Sequence, residues 1–420
     1  MRSYHNRDKG IGILYDDVYF LNGARTPFGK FCGTLSKTSP TDLGIYASKA
    51  AIKKSGLTPE QIDQVIVANI GQACTDAYFL ARHISLYSGV PVAVPASMVQ
   101  RICASGLETI NTAAEQITLG KADRVLCCGT ENMSLAPTVS FGNRMGYGLG
   151  RIEFKDMLWE ALDDTACGYP MGETAENLAK KYNISRSEID EFAKISHDRS
   201  IEAYNKGLFE EEIISINPEV FSINGFNPRK ANLSKSVKDF KCDENVRSTT
   251  VEALSKLPAA FIKDGVQTAG NSSGLVDGAA AGIVASSKAI DELKLKPIGK
   301  IAGVSSCGVD PKYMGIGPVP AIEILLELTG LNLDQIDLFE INEAFGAQYI
   351  ACERELKLDR NKINVNGGAI AIGHPLGATG IRQVLTLSLE MNRRRVKYGI
   401  ATACVGGGQG TAVLIENTNL

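Results

Sequence analysis

Residues 366–380 read NGGAIAIGHPLGATG and surround His374 with five glycines, although the whole chain of 420 residues has only four histidines. Glycine lacks a Cβ, so it lets another group approach the backbone closely and tolerates positive φ. We therefore expect a ligand to approach the backbone here. Histidine titrates near neutral pH and suits proton transfer. The stretch is a candidate catalytic segment, the alternative being a structural histidine hydrogen-bonded within a turn.

A cysteine stands at a second informative junction. In MVQRICASGLETINTAAEQITLG (98–120), a predicted strand ends near Gln100 and a helix follows, which places Cys103 at a helix start. The helix dipole and free N–H groups there favour a thiolate and lower the thiol pKa from its ordinary value of about 8.5. Cys103 is thus a candidate nucleophile, the alternative being one more buried cysteine.

Two further segments place polar groups or glycines after apolar strands. In ATACVGGGQG (401–410), Cys404 ends an apolar run and precedes four glycines, whose N–H groups could bind an anion or simply form a tight turn. The segment lacks the lysine of a nucleotide phosphate loop, and it has no G-x-S-x-G serine nucleophile motif. In FEINEAFGAQY (339–349), Asn342 and Glu343 follow a strand and are expected to face a cleft.

The order of apolar and helical runs predicts an α/β fold in two similar halves. Continuous apolar strands such as QVIVANI (64–70) and DRVLCCGT (123–130) alternate with helices, which indicates a mainly parallel sheet. Charged helices and irregular polar stretches interrupt this rhythm from about 133 to 275, and it then returns. We expect an N-terminal half (1–132, completed by 276–297), an inserted loop domain (133–275) and a C-terminal half (298–420).

Composition excludes several classes of function. The formal charge of −3 and the pI near 6.0 make nucleic acid and anionic membrane surfaces poor partners. The longest apolar-looking run, GAAAGIVAS (278–286), is far too short to span a membrane, and the start lacks a secretory signal. We expect a cytoplasmic protein, or one in an organelle matrix if its source is eukaryotic. Ten cysteines without any C-x-x-C pair predict no metal site.

Taken together, the motifs resemble those of the thiolase family. They are CASGL around Cys103, NEAF (342–345), GGAIAIGHPLGATG, CVGGGQGTAV, GARTPFGKF (23–31), MGETAENLAKKY (171–182) and TAGNSSGLVDGAAA (268–281). The resemblance runs from about residue 17 to the end. DAYFLARHISL, PMGETAENLA and MGIGPVPAI resemble the mitochondrial 3-ketoacyl-CoA thiolase type in particular. The family implies a five-layered αβαβα fold and an acyltransferase of lipid metabolism.

The resemblance also implies catalytic roles. Cys103 would take the acyl group as a thioester, His374 would activate Cys103, and Cys404 would exchange a proton with the α-carbon of the second acyl-CoA. His374 with a water held by Asn342 would form one oxyanion site. The backbone N–H groups of Cys103 and Gly406 would form the other. The reaction is a reversible, ping-pong Claisen condensation or thiolysis, which needs a nucleophile, an acid/base and two sets of donors.

Coenzyme A is implied as substrate and product, with no covalently bound cofactor. The family's CoA-binding positions fall on Arg247 and Ser273. Its pantetheine and acyl pocket falls on Leu162, Met171, Phe261, Ala269, Met314 and Phe345. For the apolar members the alternative is ordinary core, and Arg247 could equally be a solvated surface charge. Members of the family are usually homodimers or homotetramers, and we expect one of these states.

Three residues depart from the family pattern. Gln100 replaces a common asparagine, Pro170 replaces a histidine found in many biosynthetic members, and Gly346 replaces alanine. The change at Pro170 favours a broader 3-ketoacyl-CoA range. A decarboxylating ketoacyl synthase would need a second catalytic histidine or asparagine partner, and a non-catalytic acyl-CoA carrier would not need Cys103, His374 and Cys404. Acyl chain length and reaction direction stay open.

Overall fold

The apolar runs of the sequence form a large central sheet in this computed structural model, which describes residues 2–234 and 237–420. Three two-stranded sheets lie outside it. The strands are β1 (Arg2–Asn6), β2 (Gly10–Leu14), β3 (Val18–Arg25), β4 (Gly29–Lys30), β5 (Gln64–Ala68), β6 (Ala96–Val99), β7 (Arg124–Asn132), β8 (Thr138–Val139), β9 (Lys155–Asp156), β10 (Asp163–Asp164), β11 (Tyr169–Pro170), β12 (Glu219–Phe221), β13 (Arg229–Ala231), β14 (Val276–Ser286), β15 (Gly299–Gly308), β16 (Leu338–Ile341), β17 (Tyr398–Val405) and β18 (Gln409–Glu416).

The helices follow the capping signals of the sequence. Ser39, Ser185, Thr250 and Ser286 each accept a backbone N–H in the first turn of the helix that they precede. The helices are α1 (Pro40–Lys54), α2 (Leu80–Tyr87), α3 (Ser105–Thr118), α4 (Met157–Glu160), α5 (Met171–Tyr182), α6 (Arg186–Asn205), α7 (Val251–Ser255), α8 (Ser287–Leu293), α9 (Pro318–Thr329), α10 (Gly346–Leu356), α11 (Ala369–Ile372) and α12 (Leu376–Arg394).

The sheet consists of two halves that meet along a short seam. Its order is β16-β17-β18-β15-β3-β14-β7-β5-β6, with β4 beside β14 and the β1–β2 hairpin beside β15. At the seam, β15 pairs with β3 at only two positions, Gly299 with Phe20 and Lys300 with Tyr19. Beyond them, β2 takes over as the partner of β15 from Gly303 to Ser306. The seam divides an N-terminal set of strands from a C-terminal set.

The expectation of a mainly parallel sheet is wrong. Among the described strands, only β5 with β6, β5 with β7, and β16 with β17 pair in parallel, whereas β3, β14, β15 and β18 make antiparallel pairs. Continuous apolar runs indicated strands covered on both faces. Here helices cover antiparallel strands on both faces as well, so burial does not fix strand direction.

Three layers of helices enclose the two halves of the sheet. In the middle layer α3 and α12 pack on each other and on strands of both halves, around a core that includes Leu107, Ile381 and Val384. On one outer side α1 and α2 cover the N-terminal strands, and on the other α9 and α10 pack in the core beside the C-terminal strands. The order of layers is αβαβα, which confirms the predicted α/β architecture.

Residues 133–275 leave the sheet and return to it at β14. They form the short strands β8–β13 and the helices α4–α7. Buried charges attach this segment to the rest of the chain: Arg25 of β3 donates to Glu212 (2.6 Å) and to Asp243 (2.8 Å), and Glu212 also accepts from Thr386 of α12 (2.7 Å). The division at residues 132, 275 and 297 stays a prediction.

In the described ranges, no helix is both long and apolar enough to cross a membrane.

Candidate active site

A mostly apolar cavity of about 320 Å³ opens where the two halves meet the 133–275 segment. Cys103 and His374 both line it. So do all of the predicted pantetheine and acyl residues and one of the two predicted CoA-binding residues: Leu162, Met171, Phe261, Ala269, Met314, Phe345 and Ser273. Met133, Trp159, Leu275 and Leu376 also line it and were not predicted.

Cys103 lies in a short 3-10 turn between β6 and α3. The residue before it, Ile102, has φ +40°, which is an unfavourable backbone conformation for a β-branched side chain. The turn is held by the Ser105 hydroxyl, which accepts from the N–H of Arg101 (2.7 Å) and donates to the carbonyl of Ile102 (2.8 Å). This strained turn directs Cys103 to the cavity instead of into the first turn of α3.

The expectation of a lowered pKa at Cys103 is wrong. The side chain is 8% exposed, and burial raises its pKa to about 11. The negative charge of Glu131 raises it further, while the backbone N–H groups of Gly406 and of Cys103 itself act in the opposite direction. The position at a helix start favours a thiolate, but burial in an apolar environment outweighs that effect. The resting residue is a thiol.

His374 is held in one tautomer by its neighbours. Its Nδ1 lies 2.6 Å from Thr379 Oγ1, and the Thr379 hydroxyl donates to the carbonyl of Pro375 (3.1 Å). Nδ1 is therefore the protonated nitrogen, and Nε2 accepts from the side-chain amide of Asn342 (3.2 Å). Burial and the positive charge of Arg382 lower the pKa of His374 to about 3, so the ring is neutral and Nε2 is a free base.

Asn342 follows β16 and is fully buried beside the imidazole. Its Nδ2 donates to His374, and its Oδ1 has no hydrogen-bond partner among the described residues. A buried carbonyl oxygen without a donor is costly, so such an atom commonly marks a place for a ligand or water. The neighbouring Glu343 is turned away from this point, since it accepts from Ser196, Asn364 and Ile370.

The glycines around His374 contact protein, which corrects the expectation that a ligand approaches them. Gly373 has φ +99°, and a Cβ there would overlap Val276. A Cβ on Gly377 would lie 2.7 Å from the carbonyl oxygen of Ala68. The other three glycines of the stretch likewise face protein atoms. They let the His374 segment and the start of α12 pack directly on neighbouring backbone and side chains, and that packing fixes the imidazole.

Cys404 is the penultimate residue of β17 and lies beneath the cavity wall. It is fully buried and packs with Met171, Met314 and Ala344, three residues that do line the cavity. Burial holds its pKa well above the ordinary range, and negative charge on Cys103 or Cys352 would raise it further. Cys103 lines the cavity and Cys404 packs behind the wall of the same cavity.

The glycine run after Cys404 is the turn between β17 and β18. Gly407 and Gly408 have φ values of +83° and +82°, and the carbonyl of Gly408 accepts from the N–H of Val309 (2.8 Å). Gly406 lies against Ile102 and Met171, where its N–H stabilises negative charge on Cys103. The tight turn is confirmed, and the N–H of Gly406 faces the candidate nucleophile, while anion binding by this run stays a prediction.

Arg247 is the predicted CoA-binding residue that does not line the cavity. Its side chain is exposed, and its guanidinium donates to the carbonyl of Asn245 (3.3 Å). A Cβ on Gly274 would clash with Asn245, and Gly274 is part of the cavity wall. Arg247 thus lies two positions along the chain from Asn245, which packs against the cavity wall, and its own side chain faces solvent.

Three functional neighbours were missed by sequence reasoning. Thr379, which orients His374, is one of them. Met133 and Leu376 form, with Ile70, an apolar cluster around Cys103. Met133 directly follows an apolar strand and Leu376 follows Pro375, and those positions were the available signals. No group of three or more possible ligands in the described part of the chain could hold a metal ion.

Comparison with known proteins agrees with this geometry. Residues 18–288 match the family model of the thiolase N-terminal domain, and residues 295–417 match that of the thiolase C-terminal domain. The chain therefore belongs to the thiolase family and is an acyltransferase.

Particular relatives cover nearly the whole chain. Human mitochondrial 3-ketoacyl-CoA thiolase is 44% identical over 410 residues, which are 96% of this chain and 99% of the relative. The acetyl-CoA acetyltransferase of Cupriavidus necator is 42% identical over 402 residues, or 95% and 99%. The crystal structure of the human enzyme in complex with CoA has a TM-score of 0.90 at 44% identity, covering 97% of this chain and 99% of that one.

Proposed function

We propose that this thiolase exchanges acyl groups between coenzyme A thioesters and Cys103, and that it acts on 3-ketoacyl-CoA as well as acetoacetyl-CoA. The single observation that carries the proposal is that Cys103 and His374 line one apolar cavity, with Cys404 packed behind its wall. Coenzyme A is a substrate and a product in this scheme. It brings no prosthetic chemistry of its own.

In the thiolysis direction the first step is attack by Cys103 on the 3-keto carbon. Nε2 of His374 accepts the thiol proton as the new carbon–sulfur bond forms. Since the resting thiol and imidazole are both neutral, the charge separates only as the bond forms, where nearby donors can stabilise it. The developing oxyanion would meet the N–H groups of Cys103 and Gly406, or His374 with a water held by Asn342.

The second sulfur then completes carbon–carbon cleavage. As the bond between C2 and C3 breaks, the Cys404 thiol gives its proton to C2 and releases acetyl-CoA. Because its pKa is raised, Cys404 is still protonated at neutral pH and has a proton to donate. A free CoA thiol next attacks the acyl group on Cys103, the bond between the acyl carbon and the Cys103 sulfur breaks, and a shortened acyl-CoA leaves. The proton of the CoA thiol restores the Cys404 thiol, and His374 returns its proton to Cys103. Condensation is the same path in reverse, with Cys404 as the base.

The 133–275 segment supplies much of the surface for the pantetheine arm in this proposal. Leu162, Met171, Phe261 and Ala269 belong to it and line the cavity, together with Met314, Phe345 and Ser273. Phe261 and Phe345 contact each other edge to face, with ring centroids 5.6 Å apart. Arg247 lies outside the wall, where it would meet the phosphate-bearing end of CoA.

The protein is also proposed to be a homodimer or homotetramer. Its proposed location is the cytoplasm, or an organelle matrix if its source is a eukaryote.

The surroundings of Cys103 favour acyl groups longer than acetyl. Met133, Leu376 and Ile70 pack around the sulfur, with Leu158 against them. Aliphatic side chains of this kind stabilise a buried alkyl chain by roughly 0.8 kcal/mol per CH₂.

Thiolysis of a series of 3-ketoacyl-CoA substrates with 4 to 16 carbons tests this proposal, followed by loss of enolate absorbance. We expect turnover of acetoacetyl-CoA and a kcat/KM that rises beyond four carbons. Met133→Trp, which fills the wall, should remove the rise and spare the four-carbon substrate. Turnover of acetoacetyl-CoA alone would refute the broader range, and no turnover by folded protein would favour a non-catalytic carrier.

A further inference from the structure

Glu131 is a buried carboxylate close to the site that none of the catalytic steps uses. It is the penultimate residue of β7 and is 1% exposed. Burial of an acidic side chain is costly unless donors surround the carboxylate. Here burial and the charge of Asp277 raise its pKa to about 7, and three backbone N–H groups oppose that shift. Such an arrangement requires an explanation beyond packing.

The donors come from two separate segments. Oε1 accepts from the N–H of Gly71 (2.8 Å) and from the side-chain amide of Asn69 (3.1 Å). Oε2 accepts from the N–H of Ile70 (3.2 Å) and from the N–H of Gly377 (3.2 Å). Asn69–Gly71 follow β5 in the N-terminal half, whereas Gly377 lies in the first turn of α12 in the C-terminal half. One carboxylate oxygen therefore joins the two halves.

Both joined segments flank the reacting groups. Ile70 and Leu376 belong to the apolar cluster around Cys103, and Gly377 lies three residues after His374. Gly129 of β7 and Gly377 are in such close backbone contact that a Cβ on Gly129 would overlap the Gly377 carbonyl. The link through Glu131 continues this contact to the edge of the site. The carboxylate charge also acts on Cys103.

We propose that Glu131 is a positioning residue that holds the His374 segment against the Cys103 wall, an inference that rests on the proposed function. It touches neither substrate nor the reacting atoms. Its two oxygens fix the distance between Ile70 and Gly377, and α12 transmits that position to His374. Misplacement of a catalytic group by about 1 Å can cost on the order of 100-fold in rate, so this link bears directly on catalysis.

Glu131→Gln is the sharpest test because it keeps the size of the side chain. An amide has one acceptor oxygen, so its NH₂ must face either Ile70 and Gly377 or Asn69 and Gly71, whichever way it turns. We expect kcat for acetoacetyl-CoA thiolysis and the rate of Cys103 acetylation to fall roughly 10- to 100-fold. KM for CoA should stay within about threefold, because the pantetheine wall is untouched.

Asp63→Asn is the matched control at the other end of the same strands. Asp63 precedes β5, and its carboxylate accepts from the N–H groups of Asp123 (3.0 Å) and Arg124 (2.8 Å) at the start of β7. Its replacement should lower the melting temperature and leave both rates unchanged. Should Glu131→Gln fail to fold, Asn69→Ser removes one donor of the four, and the acetylation rate should then fall several-fold.

Mass spectrometry of the acetyl-enzyme over time, together with steady-state kinetics, decides the matter. A folded Glu131→Gln protein with both rates within about twofold of wild type would overturn the inference. An equal fall in Asp63→Asn would also overturn it, because general destabilisation would then account for the loss. A wild-type protein that takes no acetyl group would instead refute the proposed function and, with it, this inference.

Discussion

The two sulfurs of the site have contrasting environments, although the sequence places glycines or small residues beside both. Cys103 lies in a strained turn and faces the cavity, whereas Cys404 lies near the end of a strand beneath Met171 and Met314. Both are kept protonated by burial, but only Cys103 has a backbone donor from a distant segment aimed at it, the N–H of Gly406. Access and a donor distinguish the proposed nucleophile, Cys103, from the proposed acid and base, Cys404.

The two sulfurs also limit each other's ionisation. Burial and negative charge on Cys103 both raise the pKa of Cys404, so the two thiols are not readily ionised at the same time. In the proposed condensation, Cys103 is acylated and therefore uncharged when Cys404 acts as the base, which avoids that repulsion.

Removal of the Cys103 sulfur, which faces the cavity, should have the largest effect on activity. Cys103→Ala leaves no nucleophile at the cavity surface, so turnover should fall by at least about 10⁴-fold. Mass spectrometry after mixing with acetyl-CoA should show one acetyl adduct on the wild type and none on the variant. An adduct that survives the change would place the nucleophile elsewhere.

Replacement of the covered sulfur should separate the two steps. Cys404→Ser keeps the size of the group but weakens it as an acid or base, so condensation should fall by roughly 10²- to 10⁴-fold while Cys103 is still acetylated. Acetyl incorporation and acetoacetyl-CoA formation are measured on the same sample. Condensation near the wild-type rate would show that Cys404 has another role.

The smallest expected effect is the change of the alkylation rate with pH, which reports the ionisation of each thiol. Because the pKa of Cys103 is raised to about 11, its thiolate fraction should grow roughly tenfold for each pH unit between 7 and 9. Alkylation by iodoacetamide, followed by peptide mass spectrometry, should show that slope at Cys103 and little reaction at Cys404. A rate at Cys103 that levels off by pH 8 would mean a lowered pKa and an ion pair with His374.

Sequence reasoning identified the segments of the site better than the forces acting there. The strand before Asn342, the strand that ends near Gln100 and the glycine turn after Cys404 were predicted from apolar runs and breaker residues. The pKa of Cys103 was predicted in the wrong direction, because a helix start is visible in sequence but the depth of burial is not. The glycines near His374 were detected, yet their partners, Val276 and Ala68, lie far away in the chain.

The same reasoning explains what was missed in the fold. Apolar runs predicted strands and an α/β architecture, but not whether neighbours run parallel, since pairing is decided by contacts between distant residues. Glu131 was one of 47 acidic residues, and only its place at the end of an apolar strand distinguished it. Its four donors become visible only once β5 and α12 are seen side by side.

The buried charges around Arg25 bear on how a substrate enters. Arg25 joins β3 to Glu212 and Asp243 of the 133–275 segment, and Glu212 reaches Thr386 on α12. Opening that segment as a rigid flap would strip partners from fully desolvated ions, at a cost of about 3–5 kcal/mol for each broken pair. Admission of a thioester is therefore better served by rotation of rim side chains such as Trp159, which is 56% exposed, than by a hinge.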